Sequence, residues 1–327
     1  MEGQKKVLLT RVLPDPGMEL LERHFRLYRG QADKLMPRQE IIREIKDCDG
    51  LLCLLTDNID AEIIRAGKKL KVISNYAVGY NNIDVKEATK YKIAVTNTPG
   101  VLTETTADLT FALLLSIARR IVEADRFSRL GKFTGWSPML LLGHDVYGKI
   151  LGIIGFGRIG RAVARRAKGF GMKILYYDVK RLSNNEETSF GIKFYALDDL
   201  LKESDFVCIH VPLHAQTHHM ITMEKIALMK PSSYIINAAR GPIIDEKALA
   251  EALEKKMIAG CALDVYEHEP GIDKKLLNME NTVLLPHIGS ASIETRTKMA
   301  LMAVKNIISI LVEHTEAPDT INPEIYE

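Results

Sequence analysis

Short apolar runs alternate with amphipathic runs along most of this chain. The apolar runs predict strands, and segments with apolar residues at helical spacing predict helices. In the first part of the chain, strands are predicted at 7–10, 50–55, 70–75 and 93–97, and helices at 17–24 and 38–46. This alternation is typical of βα units with parallel strands, so we predict an α/β fold.

A second βα series begins at Lys149, after a segment with a different pattern. The stretch 103–130 has one apolar stripe and predicts a single long helix, while 131–148, which contains Trp136, predicts a loop or arm. Further strands are predicted at 150–154, 173–178, 206–210, 234–237, 259–263 and 282–285, and helices at 159–168 and 292–313. A chain of 327 residues is also longer than one hydrophobic core usually supports. We therefore predict two domains.

Composition excludes several functional classes. The net charge is +2 with both signs interspersed, which does not suggest binding to nucleic acid or to an anionic membrane. No apolar run approaches the ~18 residues of a membrane-spanning helix, and the mixed N-terminus does not resemble a signal peptide. Four cysteines lie in apolar surroundings without metal-ligand spacing: Cys48, Cys53, Cys208 and Cys261. We expect no bound metal and a location in the reducing cytoplasm.

The sharpest local motif, GFGRIG, follows an apolar strand and opens a helix. In this context each glycine has a physical role. Gly155 permits a tight turn, Gly157 lets the backbone approach a pyrophosphate, and Gly160 lets the helix pack on its strand. The amides of Arg158 and Ile159 would meet the phosphates at the positive end of the helix. The motif predicts a dinucleotide site.

Asp178 specifies which dinucleotide is expected. It lies at the tip of the next predicted strand, where a carboxylate accepts hydrogen bonds from ribose hydroxyls and repels a 2′-phosphate. Lys180 and Arg181 follow it closely and would partly accommodate that phosphate. NAD is the expected cofactor, and NADP remains the weaker alternative.

Three later strands end in residues with catalytic potential. Arg240, Glu269 and His287 each follow a predicted strand, and the carboxyl ends of parallel strands share one edge of a sheet. An arginine can bind a substrate carboxylate with two hydrogen bonds. A histidine can supply a proton near neutral pH, and a neighbouring carboxylate fixes its tautomer and favours its charged form. This set of residues suits the reduction of a keto acid by hydride.

In these local sequences, Arg240, Glu269 and His287 resemble the D-isomer-specific 2-hydroxyacid dehydrogenase family. The resemblance extends over essentially the whole chain and includes three further motifs: NYAVGYNNID at 75–84, NTPGVLT at 97–103 and HVPL at 210–213. Within the family, the sequences at 76–80 and 135–138 are most similar to the glyoxylate and hydroxypyruvate reductases.

The resemblance implies two Rossmann-like parallel-sheet domains. A substrate (catalytic) domain of residues 1–100 and 290–327 would be split by an inserted NAD-binding domain, 101–289. The amides of Val78 and Gly79 would hold the substrate carboxylate with Arg240. His287 would also contact the substrate and deliver the proton, and Glu269 would adjust the pKa of His287. Further cofactor contacts are implied for Thr103, Val211, Pro212, Ala238, Ala239, Arg240, Asp264, His287 and Gly289. Family members are usually homodimers, and the Trp136 arm matches a segment that reaches towards the partner.

The expected function is hydride transfer between NAD(H) and a small 2-keto or D-2-hydroxy acid, with glyoxylate or hydroxypyruvate as the leading substrates. Phosphoglycerate and phosphite dehydrogenases are alternatives within the family, and the phosphite enzyme uses the same three residue types. Glu269 argues against a formate dehydrogenase, which resembles this pattern but carries Gln there. A different class of function, an NAD-sensing scaffold without turnover, also remains open.

Overall fold

The computed structural model describes residues 4–32 and 34–327, which form two compact units. The first unit contains the chain up to Leu102 together with Ser290–Glu327, and the second is Thr103–Gly289. The second unit is therefore an insertion in the chain of the first. No helix among the described residues is long and apolar enough to cross a membrane.

The first unit is built around one parallel sheet of five strands. Its strands are β1 (Lys6–Leu9), β2 (Arg26–Arg29), β3 (Gly50–Cys53), β4 (Val72–Asn75) and β5 (Ala94–Thr96), in the order β2-β1-β3-β4-β5. Its helices are α1 (Asp15–His24), α2 (Arg38–Glu44), α3 (Ala61–Ala66), α4 (Val85–Lys90) and a C-terminal helix, Ile293–Ile308, which continues into a π-helical turn at Ser309–Glu313.

The central strands of this sheet are buried on both faces, which is why they appear in the sequence as unbroken apolar runs. Leu9 and Leu52 point to the face covered by the C-terminal helix. Their neighbours Leu8 and Leu51 point to the opposite face, where Ile63 of α3 packs against them. Alternate residues of each strand thus fill two separate cores.

The second unit is built around a parallel sheet of seven strands. The strands are β6 (Ile150–Ile154), β7 (Lys173–Tyr177), β8 (Ile192–Phe194), β9 (Phe206–Ile209), β10 (Tyr234–Asn237), β11 (Gly260–Leu263) and β12 (Thr282–Leu284). The helices are α5 (Thr103–Ala118), α6 (Ile121–Arg129), α7 (Arg158–Gly169), α8 (Asn184–Phe190), α9 (Leu197–Glu203), α10 (Met223–Ile226), α11 (Glu246–Glu254) and α12 (Lys274–Leu277). The C-terminal helix is accordingly α13.

The strand order of the second sheet, β12-β11-β10-β9-β6-β7-β8, marks the position of a ligand crevice. The chain leaves β6 towards β7 and β8 on one side, then returns to β9 on the other side. In sheets of this kind, ligands bind beyond the carboxyl ends of the strands where the order reverses. The predicted α/β fold with two parallel sheets is confirmed.

The single helix predicted over 103–130 is wrong. The helix ends at Ala118, and Arg120, with φ 53°, lies in the left-handed region before α6 begins. Ile121 and Val122 are apolar, so in the sequence they continue the stripe that predicts the long helix. In the structure both side chains are about half exposed and do not belong to that buried stripe. The sequence also failed to predict β2 and β8, two edge strands that contain charged residues.

Candidate active site

The glycine loop after β6 has a backbone that only glycine accommodates at two positions. Gly155 has φ +93°, and a Cβ there would lie 2.7 Å from the His210 carbonyl carbon and 2.8 Å from the Val211 nitrogen. A Cβ on Gly160 would lie 2.2 Å from the Gly155 oxygen. The loop therefore turns tightly against the end of β9 and packs its helix closely on the sheet.

The first turn of α7 is open to an anion. A Cβ on Gly157, which precedes the helix, would meet no atom within 4 Å. No side chain in the described part of the chain caps the helix, and its first turn contains no acidic residue. The backbone N–H groups at this end, including those of Arg158 and Ile159, carry the positive end of the helix dipole. The loop and helix end fit the pyrophosphate of a dinucleotide.

Asp178 lies directly after β7 and is fixed against the glycine loop, since its Oδ2 accepts a hydrogen bond of 2.7 Å from the N–H of Phe156. Arg181 does not point freely towards it. Its guanidinium donates to both carboxylate oxygens of Glu187, at 2.8 and 3.1 Å. Of the two cations near Asp178, Arg181 is thus held by an acid of its own unit, while Lys180 is exposed.

The other residues expected at the cofactor lie at the start of α5 or after strands β9 to β12: Thr103, Val211, Pro212, Ala238, Ala239, Asp264 and Gly289. Asp264 Oδ1 accepts a hydrogen bond of 2.7 Å from the N–H of Ile288. Its Oδ2 is buried without a hydrogen-bond partner among the described residues, and burial raises the pKa of this carboxyl group. A Cβ on Gly289 would lie 3.1 Å from that oxygen, so the two segments pack closely.

Glu269 and His287 form a hydrogen-bonded pair, with 2.8 Å between Glu269 Oε2 and His287 Nδ1. Burial acts to raise the pKa of Glu269, but the hydrogen bond with His287, the N–H of Tyr266 and the charge of Arg240 outweigh it, so this pKa lies below its ordinary value. The carboxylate can then only accept, which places a proton on Nδ1 and directs Nε2 away from Glu269. His287 is 23% exposed and can reach a ligand.

Arg240 is the third member of this group. Burial lowers its pKa and the negative charge of Glu269 raises it, while the charge of Arg240 in turn lowers the pKa of Glu269. Its loop is fixed by Asn237 at the end of β10, whose side chain donates to the Arg240 carbonyl at 2.9 Å and accepts from the Ala239 N–H at 3.0 Å. Arg240 Nη1 donates to the Ala239 carbonyl. The structure therefore brings the three predicted catalytic residues together in the second unit.

Val78 and Gly79 lie in the first unit, in the loop after β4. Asn97 Nδ2 donates to the Val78 carbonyl and Asn75 Nδ2 donates to the Gly79 carbonyl, each at 2.8 Å. Within residues 4–32 and 34–327, neither the Val78 nor the Gly79 N–H donates a hydrogen bond. The carbonyls are thus satisfied internally, and two neighbouring N–H groups remain for an anion.

Sequence reasoning missed two residues of this region. His210, at the end of β9, has both ring nitrogens buried without a partner among the described residues, and burial lowers its pKa to about 4. It lies in the HVPL motif, which signalled its neighbours Val211 and Pro212 but not its own burial. Tyr266 contacts the segments of the catalytic group, and no feature of the sequence distinguishes it from an ordinary buried aromatic residue.

Known proteins are similar to this chain over nearly its whole length. Residues 111–289 match the family model described as D-isomer specific 2-hydroxyacid dehydrogenase, NAD binding domain. A glyoxylate reductase of Korarchaeum cryptofilum is 52% identical over 322 residues, which cover 98% of this chain and 96% of the relative.

Two solved structures extend the likeness to three dimensions. The TT0316 protein of Thermus thermophilus has a TM-score of 0.91 and 41% identity, covering 97% of this chain and 99% of that one. A glyoxylate reductase of Paecilomyes thermophila has a TM-score of 0.86 and 34% identity, covering 98% and 99%. From the family model, the full-length similarity and the shared fold, it follows that this chain belongs to the D-isomer specific 2-hydroxyacid dehydrogenase family.

Proposed function

We propose that this chain reduces a small 2-keto acid to its D-2-hydroxy acid with NADH, and that glyoxylate and hydroxypyruvate are its preferred substrates. The observation that carries the proposal is the 2.8 Å hydrogen bond between Glu269 and His287. Arg240 lies close enough for its positive charge to lower the pKa of Glu269. The substrate assignment is supported by the relatives named glyoxylate reductase.

Each residue has a distinct task in this proposal. Arg240 binds the substrate carboxylate through its fork of donors. We propose a substrate-binding role for Val78 and Gly79 as well, whose N–H groups donate no hydrogen bond among the described residues. When bound, the reduced nicotinamide supplies the hydride. His287, protonated at Nε2, donates its proton to the carbonyl oxygen as negative charge develops there. Glu269 holds the ring through Nδ1 and leaves Nε2 directed away from the carboxylate.

We propose NAD, not NADP, as the preferred cofactor. Asp178 is fixed by Phe156 at the position where the adenosine ribose would bind, and its negative charge would repel a 2′-phosphate. Arg181 is engaged with Glu187 and is not available to neutralise that phosphate. Of the two cations expected to accommodate a 2′-phosphate, only the exposed Lys180 is therefore left to contact it.

One assay tests both the substrate and the cofactor. Initial rates are measured with glyoxylate, hydroxypyruvate, pyruvate and larger 2-keto acids, each with NADH and with NADPH, for the wild type and Asp178→Ala. We expect kcat/KM to be highest with glyoxylate or hydroxypyruvate and NADH. Asp178→Ala should narrow the NADH preference, because the ribose loses an acceptor and a 2′-phosphate is no longer repelled.

The same assay includes the outcomes that contradict these proposals. A nucleotide preference unchanged in Asp178→Ala would contradict the ribose-binding role. Oxidation of phosphite or of 3-phosphoglycerate with NAD, faster than any keto-acid reduction, would favour the alternative members of the family. If no substrate reacted while NADH still raised the midpoint temperature of thermal unfolding, the result would favour the NAD-sensing scaffold over the enzyme.

We propose that one unit binds the substrate and the other binds the cofactor. Residues 1–100 and 290–327 would form the substrate (catalytic) domain, which provides Val78 and Gly79, and residues 101–289 would form the NAD-binding domain. Support comes from the N–H groups of Val78 and Gly79, which donate no hydrogen bond among the described residues, and from the family model, which lies wholly within the second unit. We also propose the cytoplasm as the location, because all four cysteines are buried as free thiols.

We further propose a homodimer that uses the arm after α6. Between residues 130 and 139, the apolar side chains of Leu130, Phe133, Trp136 and Met139 are each at least 60% exposed, and Trp136 reaches 84%. A patch of this kind marks a protein interface. Light scattering should give about twice the chain mass of 36.7 kDa, and Trp136→Ser with Met139→Ser should lower it. Ile293→Ser, at an 85% exposed position outside the arm, is the control, and a monomeric wild type would contradict the proposal.

A further inference from the structure

Tyr266 is a buried residue that touches each of the three segments carrying the catalytic group. It lies two positions after Asp264 and is 5% exposed. Its backbone N–H donates a hydrogen bond of 3.1 Å to Glu269 Oε1. This oxygen is not the one that binds His287, so Tyr266 fixes the carboxylate from its other side.

The phenol of Tyr266 reaches the segment of His287. Its hydroxyl donates to the carbonyl of Leu285 at 2.9 Å, and the carbonyl of Leu263 lies 3.5 Å away. The N–H of Leu285 donates to the same Leu263 carbonyl at 2.8 Å. Leu285, two residues before His287, is therefore held through both its backbone groups.

This restraint matters because the backbone of His287 is strained. Its φ of 56° lies in the left-handed region, which a residue with a Cβ adopts only when its surroundings enforce it. The bonds at Leu285 fix the chain before His287, and the bond from the Ile288 N–H to Asp264 fixes it directly afterwards. The strained conformation is held from both sides, and the Tyr266 hydroxyl provides one of the restraints.

The third contact is with the loop of Arg240. A Cβ on Gly241 would lie 1.9 Å from the Tyr266 carbonyl carbon and oxygen, so the two backbones are in direct contact. One residue thus bonds to Glu269, restrains the approach to His287 and packs beside Arg240.

From these contacts we infer that Tyr266 is a positioning residue for the reaction: its hydroxyl and backbone N–H set the alignment of the Glu269–His287 pair. The inference rests on the proposed roles of Glu269 and His287. Tyr266 acts through these residues and needs no contact with substrate or cofactor.

The test removes only the hydroxyl, with Tyr266→Phe. We expect kcat to fall about three- to tenfold, as for the loss of one buried hydrogen bond, with KM for the keto acid and the Kd of NADH within about twofold of wild type. Tyr234→Phe is the matched control, because Tyr234 is also buried and its hydroxyl bonds to His144 at the opposite end of β10. It should lower the thermal midpoint similarly and leave kcat unchanged.

A double-mutant cycle separates positioning from general destabilisation. In a Glu269→Ala background, Tyr266→Phe should lower kcat much less than in the wild type, because the pair it aligns no longer exists. Equal losses in both backgrounds, a loss confined to KM, or an unchanged kcat would overturn the inference.

A crystal structure of Tyr266→Phe gives a readout that does not depend on activity. We expect the distance between Glu269 Oε2 and His287 Nδ1 to lengthen beyond hydrogen-bonding range or the ring to occupy several orientations. An unchanged, ordered pair would contradict the positioning role even if the wild type were inactive towards every keto acid. Conversely, an inactive wild type with a disrupted pair in the variant would contradict only the proposed function.

Discussion

The His287→Ala variant is expected to reduce glyoxylate about 10²- to 10⁴-fold more slowly than the wild type, the range found when a general acid is removed. The carbonyl oxygen gains negative charge as hydride arrives, and without the imidazole only water can supply the proton. Glu269 does not replace it, because its carboxylate lies at the Nδ1 side of the imidazole, a ring's width from the Nε2 position that delivers the proton. The loss should appear mainly in kcat, with a smaller weakening of NADH binding, because His287 is also a predicted cofactor contact.

A matched control for this variant is His219→Ala. His219 Nε2 lies 2.7 Å from Glu267 Oε1, so it has the same type of partner as His287 in the same unit, but the proposed reaction does not use it. Steady-state kcat across neutral pH, with a nucleotide-binding titration of each variant, gives the comparison. A His287→Ala enzyme with near-normal kcat, or an equal loss in His219→Ala, would show that His287 is not the proton donor.

The second large effect is expected for Arg240. Removing one partner of a partly buried, charge-assisted contact costs about 2–5 kcal/mol, which corresponds to a fall in kcat/KM of roughly 30- to 4,000-fold for Arg240→Ala. Both KM and kcat should change, because the guanidinium binds the carboxylate and also orients the carbonyl towards the hydride. Arg240→Lys should recover only part of the loss, since an ammonium keeps the charge but lacks the two-pronged geometry.

Kinetics with an aldehyde of similar size show whether the lost interaction involves the carboxylate. Arg240→Ala should lower kcat/KM strongly for a 2-keto acid and only slightly for a substrate without the carboxylate. The ratio of the two kcat/KM values should therefore decrease. Arg165→Lys is the control, because Arg165 forms an exposed ion pair with Glu104 in the same unit. Equal losses for both substrates would contradict carboxylate binding by Arg240.

The sequence predicted the parts of this protein that depend on local chemistry. The glycines at 155 and 160 are required by close backbone contacts, and their spacing between an apolar strand and a helix revealed them. Arg240, Glu269 and His287 could be grouped because parallel strands place their carboxyl ends on one edge. The pairing of Glu269 with His287 in the structure agrees with that grouping, although their roles in the reaction remain predictions.

Features that depend on tertiary contacts could not be predicted. The left-handed backbone of His287 is enforced by groups from β11 and the loop after it, and nothing in the local sequence 285–289 specifies it. In the same way, Val78 and Gly79 were predicted to bind an anion, but the amides of Asn75 and Asn97 that hold their carbonyls were not identified. Arg120, where the predicted long helix breaks, is a third example.

A crystal structure of the wild type with NADH and oxamate, an unreactive analogue of a 2-keto acid, tests the proposed roles of His287 and Arg240 directly. We expect His287 Nε2 to lie about 3 Å from the amide oxygen that replaces the reacting carbonyl, with the Arg240 guanidinium on the carboxylate. Glu269 should remain bonded to Nδ1 of the same ring. An amide oxygen out of reach of His287 would contradict its role as proton donor. A carboxylate away from Arg240 would contradict carboxylate binding by that residue.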